Sequence, residues 1–254
     1  MILNQHFRGK RRASAAGILL TDLVAHWDLD EASGTRNDSH TNAYHLTDNN
    51  TVGSSTGVDG VSTCALFVSA SSEYLSITDK SALRIDDSHF MVNAWVYVTG
   101  GNNFHGWVCK GNSGLSGGEW SIRGPDGVDT DPFLALCRVR NSANSASVNA
   151  DAGGLSRSAW IMVTLYHDPD ANTIALYLNG TLGTSTAITG GVYTGGTNAL
   201  TLGSIGAGSY MSGRMQSVSI WKGAGAQTAL SEITWLYNSG SAARMYADLQ
   251  SYGG

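Results

Sequence analysis

Little in this chain of 254 residues is charged, and most of its acid is aspartate. Lys, Arg, Asp and Glu together make up 14% of the residues, too few for a coiled coil or a chain kept open by self-repulsion. Glutamate occurs only at Glu31, Glu73, Glu119 and Glu232. Three prolines exclude a proline-rich linker or recognition segment. Three cysteines, Cys64, Cys109 and Cys137, cannot pair completely, and no C-x-x-C or Cys/His spacing points to zinc. Each lies in an apolar stretch, which predicts buried free thiols. No apolar run reaches the roughly 20 residues that a membrane-spanning helix needs. A secretory signal is also missing: polar residues precede the first basic cluster, and ASAAGILL is short and runs at once into Thr21-Asp22. The expectation is a chain made in a cytoplasm and kept there, or released by a non-secretory route.

Glycine, at 32 residues, is abundant, as are Ser, Thr and Asn. That is the turn chemistry of many short strands. Seven Trp and ten Tyr supply bulk for a large core. Alternating apolar residues predict strands over 23–29, 64–68, 74–77, 90–98, 107–110, 120–123, 133–139, 160–167, 173–179, 199–202 and 213–221. Strand follows strand with no helical period between, which predicts an all-β, two-sheet antiparallel sandwich. Asn179-Gly180 suits a tight hairpin turn. The segments 141–158 and 183–198 are rich in Gly, Ser, Thr and Ala and read as long loops or weak edge strands. Residues 230–238 read as a short helix with Ile233, Leu236 and Tyr237 on one side and Gly240 as its stop. The chain therefore divides into a basic N-terminal arm, 1–20, a sandwich, 21–240, and a tail, 241–254. In the tail, Met245, Tyr246 and Leu249 are placed to cover an apolar patch or a neighbouring subunit.

Five segments carry a resemblance. LVAHWDLDEASG (23–34), with Asp38-Ser39 after it, reads as an opening strand and turn. ALFVSASSEYLSI (65–77) is a strand pair around an exposed aromatic, and LRIDDSHFMVNAWVYV (83–98) a central strand. RSAWIMVTLYHDPDANTIALYLNG (157–180) is a hairpin, and 199–240 runs strand, Gly/Ser loop, strand and helix. In this order the segments resemble the laminin-G-like, concanavalin A-like lectin/glucanase domains, over roughly 23–240. The resemblance implies a jelly-roll sandwich with a short C-terminal helix, with Trp27, Trp95, Trp160 and Trp221 at packing positions.

The family includes glycoside hydrolases, whose chemistry needs two carboxylates flanking the scissile bond. Its glucanase branch carries Glu-x-Asp-x-x-Glu on one strand, and none of the four glutamates here begins that motif. No Ser, His and Asp fall in a nucleophile-elbow context. The expectation is no catalytic residue and no enzyme, with hydrolase activity kept as an outsider. Lectin-like members often bind calcium, a hard cation that takes oxygen ligands. Candidates are Asp28, Asp30 and Asp38, near Glu31 and Asp48, with Gln216 standing where the family often has an acid. Turn-forming aspartates are the alternative, and no cofactor is required. Asp168-Pro169-Asp170 reads as a structural turn, and His26, His89, His105 and His167 show no ligand spacing. Tyr44, Phe104, Trp107, Tyr193 and Tyr210 lie in or beside predicted loops and are candidate glycan contacts, because a pyranose presents an apolar C–H face to a ring. Ordinary rim packing is the alternative.

Charge is unevenly placed. Residues 1–21 hold Arg8, Lys10, Arg11 and Arg12 and no acid, leaving 11 basic and 20 acidic residues, a formal −9, for the rest. With Ile2, Leu3 and Phe7 as apolar anchors, the arm is expected to grip an acidic partner. Nucleic acid is not the expected partner, since the cluster lacks interleaved aromatics and the body is acidic. A basic arm before a lectin-like domain resembles domains of bacteriophage head and tail proteins. The implied function is a non-enzymatic structural or attachment protein of a virion-like assembly, a decoration of the capsid or a tail component. Its implied partners are capsid or tail subunits, further copies of itself and cell-surface glycans, and its location the virion. The alternative is a stand-alone carbohydrate-binding or adhesion module.

Overall fold

The computed structural model describes residues 17–100, 105–111, 119–124, 132–206 and 208–253. In chain order its strands begin with β1 (Leu23–Trp27), β2 (Thr47–Asn49), β3 (Gly53–Thr56), β4 (Thr63–Phe67), β5 (Tyr74–Ile77) and β6 (Phe90–Gly100). Next come β7 (Gly106–Lys110), β8 (Trp120–Arg123), β9 (Phe133–Arg140), β10 (Ser147–Leu155), β11 (Trp160–Asp168) and β12 (Thr173–Leu178). The last are β13 (Thr181–Ala187), β14 (Leu200–Leu202), β15 (Ser204–Ile205), β16 (Ser209–Tyr210) and β17 (Ser212–Lys222). Helices α1 (Ala224–Ser231), α2 (Ile233–Tyr237) and α3 (Tyr246–Ser251) follow.

The strands form two antiparallel sheets. The larger has eight strands, ordered β13-β12-β11-β6-β17-β4-β3, with β1 also paired to β17. The smaller has seven, ordered β10-β9-β8-β7-β14-β5-β2, and β15 and β16 make a small hairpin. Period-two alternation decides what each sheet buries. From β6, Phe90, Val92, Ala94, Val96 and Val98 enter the core between the sheets, where they meet Leu75, Ile122, Ala135 and Cys137 of the smaller sheet. The intervening Met91 and Trp95 face outward, into a second cluster with Met162, Tyr166, Trp221, Ile233, Leu236 and Leu249. The C-terminal helices therefore roof the outer face of the larger sheet. The tail covers its own chain's patch: Leu249 is buried there, with Met245 and Tyr246 packed beside it.

The four tryptophans at packing positions divide between two layers. Trp27, Trp95 and Trp221 are buried, but Trp95 and Trp221 lie under the helices rather than between the sheets. Trp160 is only half-buried, at the margin of the helix-covered cluster against Tyr97, because it opens β11 on the outer face. The segments read as loops or weak edge strands hold one edge strand of each sheet, β10 of the smaller and most of β13 of the larger. β13 is exposed at all but one of its residues and has no apolar alternation to read. All three thiols are free and buried, and burial pushes them up, Cys64 to about 11 and Cys109 and Cys137 to about 12. Residues 1–16, which hold most of the predicted arm, lie outside the described residues.

Candidate functional site

The acidic loop after β1 is wired internally. Asp38 accepts the N–H groups of His26 and His40 on Oδ1 and that of Tyr44 on Oδ2, at 2.9–3.0 Å. Asp28 takes His26 Nε2 at 2.9 Å and the Tyr246 N–H at 2.8 Å on Oδ1, and the Ser39 hydroxyl on Oδ2. Burial works to raise the Asp28 carboxyl, but His26, Tyr246 and Ser39 outweigh it and hold it below its ordinary value. Asp30 is exposed, and its carboxyl is raised by burial and by Asp28 and Glu31. Asp48 accepts from Val52 and Gly34. The positive charge at the centre is the buried Arg36, bonded to the carbonyls of Gly34, Val52 and Gly53 and 3.9 Å from Glu31. Gln216 faces another turn: Oε1 accepts from the Val58 N–H, and Nε2 donates to Ser62 Oγ and the Thr63 carbonyl. Asp28, Asp38 and Gln216 are thus committed to turn-fixing bonds, and Gln216 stands at a different turn from the three aspartates. Among the described residues, the three acidic and histidine side chains that gather with ligand atoms within 4.8 Å of one another are His89, Asp168 and Asp170. Asp168 there caps its own turn through the N–H groups of Asp170 and Ala171.

The five aromatic candidates separate. Trp107 is not at a rim. It is fully buried between the sheets, edge-on to Phe133, because a bulge between Gly106 and Val108 turns it inward beside Val108. Phe104 lies outside the described residues. Tyr44 is half-buried against the inter-sheet core, with Lys80 Nζ 6.0 Å from its ring centre. Tyr193 is half-buried over Gly195. Tyr210, on the β15-β16 hairpin, meets Tyr74 of β5 with ring centres 6.0 Å apart and planes tilted by 42°. Both rings are half-exposed. Leu75 and Ile77 point into the core, so Tyr74 and Ser76 stand on the outer face of the smaller sheet. Register places Asn49 opposite Tyr74 and Thr47 opposite Ser76. Asn49 Nδ2 donates to Ser76 Oγ at 2.9 Å. The outcome is two tyrosine rings beside a row of amide and hydroxyl groups on an open sheet face. Tyr74 corresponds to the exposed aromatic of the 65–77 segment, but spacing alone did not mark it as a partner of Tyr210.

The described carboxylates that most nearly resemble an acid/base pair flank Lys110. Asp79 accepts from Lys110 Nζ at 2.6 Å and from Arg84. The Arg84 hydrogen bond, with help from Lys110, holds Asp79 down at about 2. Burial pushes Glu119 up to about 7, against Lys110 and Arg84. Carboxylates with such separated values are what acid/base chemistry uses. Glu119 is covered, however: its side chain is 0% exposed, and Gly196 rests against it.

The sequence profile of the concanavalin A-like lectin/glucanases superfamily matches residues 69–231. The chain belongs to this superfamily. No curated protein matches it in sequence. Among solved structures, it is similar to the binding domain of Paraclostridial mosquitocidal protein 1, with a TM-score of 0.67 and 16% identity, covering 87% of this chain and 53% of that one. Domain 4 of AbnA, a GH43 extracellular arabinanase from Geobacillus stearothermophilus solved with arabinotriose, gives a TM-score of 0.57 at 17% identity, covering 85% and 98%. The binding domain of botulinum neurotoxin DC, in complex with SialylT, gives 0.57 at 11%, covering 87% and 52%. The chain thus spans about half the length of the two toxin domains. At these identities the superfamily likeness is one of fold, and function rests on the sites.

Proposed function

We propose that this superfamily member is a non-catalytic carbohydrate-binding module that takes sugar on the Tyr74–Tyr210 face. The observation that carries the reading is that pair of half-exposed rings, with Asn49, Ser76 and Thr47 beside it on one sheet face. Neither phenol has a hydrogen-bond partner among the described residues, so both are available to sugar hydroxyls while the rings meet C–H faces. Arabinotriose in domain 4 of AbnA supports testing neutral oligosaccharides first. The test is a glycan array followed by calorimetry with any sugar captured. Tyr74→Ala and Tyr210→Ala should each weaken binding at least about tenfold, in keeping with a lost contact of about 1.4 kcal/mol, and leave Tm unchanged. Binding that both variants retain at full strength places the sugar elsewhere. Sugar turnover would overturn the non-catalytic part.

The finer reading is that the module is displayed on a virion-like assembly, as a capsid decoration or tail component. Its 1–20 arm would hold capsid or tail subunits or further copies of the chain, and it would be made in a host cytoplasm. What supports it is the charge asymmetry, four basic residues and no acid in 1–21 against −9 for the rest. Mass spectrometry of what co-purifies with the native protein tests it, and recovery of the chain without any assembly subunits counts against it. No cofactor is required. Added calcium should leave Tm unmoved if the Asp28 and Asp38 network is complete as it stands; a rise lost in Asp38→Asn would assign calcium to this loop.

A further inference from the structure

Among the described residues, Glu119 is the carboxylate with both oxygens buried and without a hydrogen-bond partner. It stands just before β8, at the end of the smaller sheet where β5 and β7 finish and β14 begins. Lys110 Nζ, equally buried, is 3.5 Å from Oε1 but spends its hydrogen bonds on Asp79 Oδ1 and the Asn198 carbonyl, each at 2.6 Å. Among the described residues, Gly196 also walls the carboxyl group. A Cβ there would lie 2.3 Å from Cγ and Oε1 of Glu119, so the backbone of 195–198 rests directly on the carboxyl group. Gly196 is buried while Gly195 and Thr197 beside it are exposed. A buried carboxyl group whose nearby cation, Lys110, is shared with two closer acceptors is tolerated when neutral and costly when ionised.

We propose that Glu119 is a proton-operated latch on the 195–198 segment. Protonated, its carboxyl group packs under Gly196 and the segment stays closed. Ionised, it needs donors that the closed arrangement lacks, and the segment lifts to admit water. The charged groups around it are Lys110 of β7 and Asp79 and Arg84 from between β5 and β6. Arg140 of β9 gives its backbone N–H to the Glu119 carbonyl, but its guanidinium turns away to Asn144 and Ser147. The 195–198 segment brings no titratable side chain. Burial places the Glu119 transition at about 7, so the latch works across the neutral range. Tyr193 packs over Gly195, so lifting the segment moves an aromatic ring at the rim. The latch does not depend on the sugar-binding reading.

Amide hydrogen exchange of the full chain, from about pH 5 to about pH 9, tests this. Once the intrinsic base-catalysed rate is divided out, opening of 195–198 should grow by up to about tenfold per pH unit as pH climbs from the ordinary carboxylate value of 4.5 to the Glu119 transition at about 7, and level off above it. Exchange in β6 and β17 should not change, which separates local lifting from unfolding. Glu119→Gln keeps the shape without the charge and should give a flat, protected profile. Gly196→Ala should hold the segment open at every pH. The latch is wrong if the wild-type profile is flat, if Glu119→Gln keeps the wild-type pH dependence, or if Gly196→Ala is as protected as the wild type at low pH.

Discussion

At the residue scale, single side chains work in opposite directions around Lys110. Asp79 is lowered from its ordinary 3.8 to about 2, chiefly by Arg84 and then Lys110. A lowered carboxyl stabilises the fold above its unfolded value and stops doing so as pH falls through the folded one. Asp79 should therefore cost stability between about pH 4 and about pH 2. Glu119 is raised from 4.5 to about 7, and its sign is reversed. The folded chain holds a proton that the unfolded chain has lost, so stability declines as pH climbs through that window. Chemical denaturation across pH should show Asp79→Asn losing the acid-side slope and Glu119→Gln losing the neutral one. An unchanged acid limb in Asp79→Asn would show that the Arg84–Asp79–Lys110 contacts do not govern it. Trp95 is a packing residue, stacked on Tyr237 at 5.8 Å and 1% exposed. Trp95→Ala should cost roughly 3–5 kcal/mol. Because the ring joins the larger sheet to its helical roof, the loss should also appear as faster exchange in α2.

At the scale of elements, the pairing of β6 with β17 is the spine of the larger sheet. Gly213 makes their close approach feasible: its φ is +154°, and a Cβ there would lie 2.0 Å from the Tyr97 carbonyl oxygen. Gly213→Ala should cost roughly 1–3 kcal/mol through forced backbone movement. Gly53→Ala in β3, where a Cβ meets nothing within 4 Å, is the matched control and should be near neutral. Equal losses in the two variants would refute the close-approach account. The same elements explain what could be read from sequence. The central strands were legible because they are rich in apolar residues and buried along most of their length. The edges β10 and β13 were not, because they carry Gly, Ala, Ser and Thr with much of each strand exposed. Trp107 was misplaced because the bulge beside it breaks the alternation on which the reading depends. Tyr210 and the exposed aromatic at Tyr74 could be read individually. Their meeting could not, since it is made by the β15-β16 hairpin folding back on β5. The Lys110–Glu119–Asp79 cluster was hidden for a similar reason: its members come from separate elements and have no common spacing.

At the scale of the whole molecule, the sandwich has two apolar layers, and the second is closed by the chain's own C-terminal helices. The start of the described chain is fastened into that roof: Gly17 donates its N–H to the Tyr252 carbonyl at 2.8 Å, and Leu19 is buried in the cluster and takes the Trp221 indole N–H on its carbonyl. Residues 2–12 lie beyond that fastening point. Their removal should therefore leave the sandwich intact, with its stability changed by no more than about half a kcal/mol. What it should remove is association. Arg8, Lys10, Arg11 and Arg12 concentrate positive charge on a chain whose remainder is formally −9, and Ile2, Leu3 and Phe7 add apolar anchors. Contacts made by four cations to an acidic surface weaken as salt screens them. If the proposed assembly holds the chain by this arm, native protein should leave it progressively as salt is raised, and the 2–12 deletion should fail to bind it at any salt. Sedimentation of both forms with the co-purifying assembly reads this directly. If the truncated chain occupies the assembly as fully as the native chain, with the same salt dependence, the basic segment is not the anchor, and the module reaches its site through the sandwich alone.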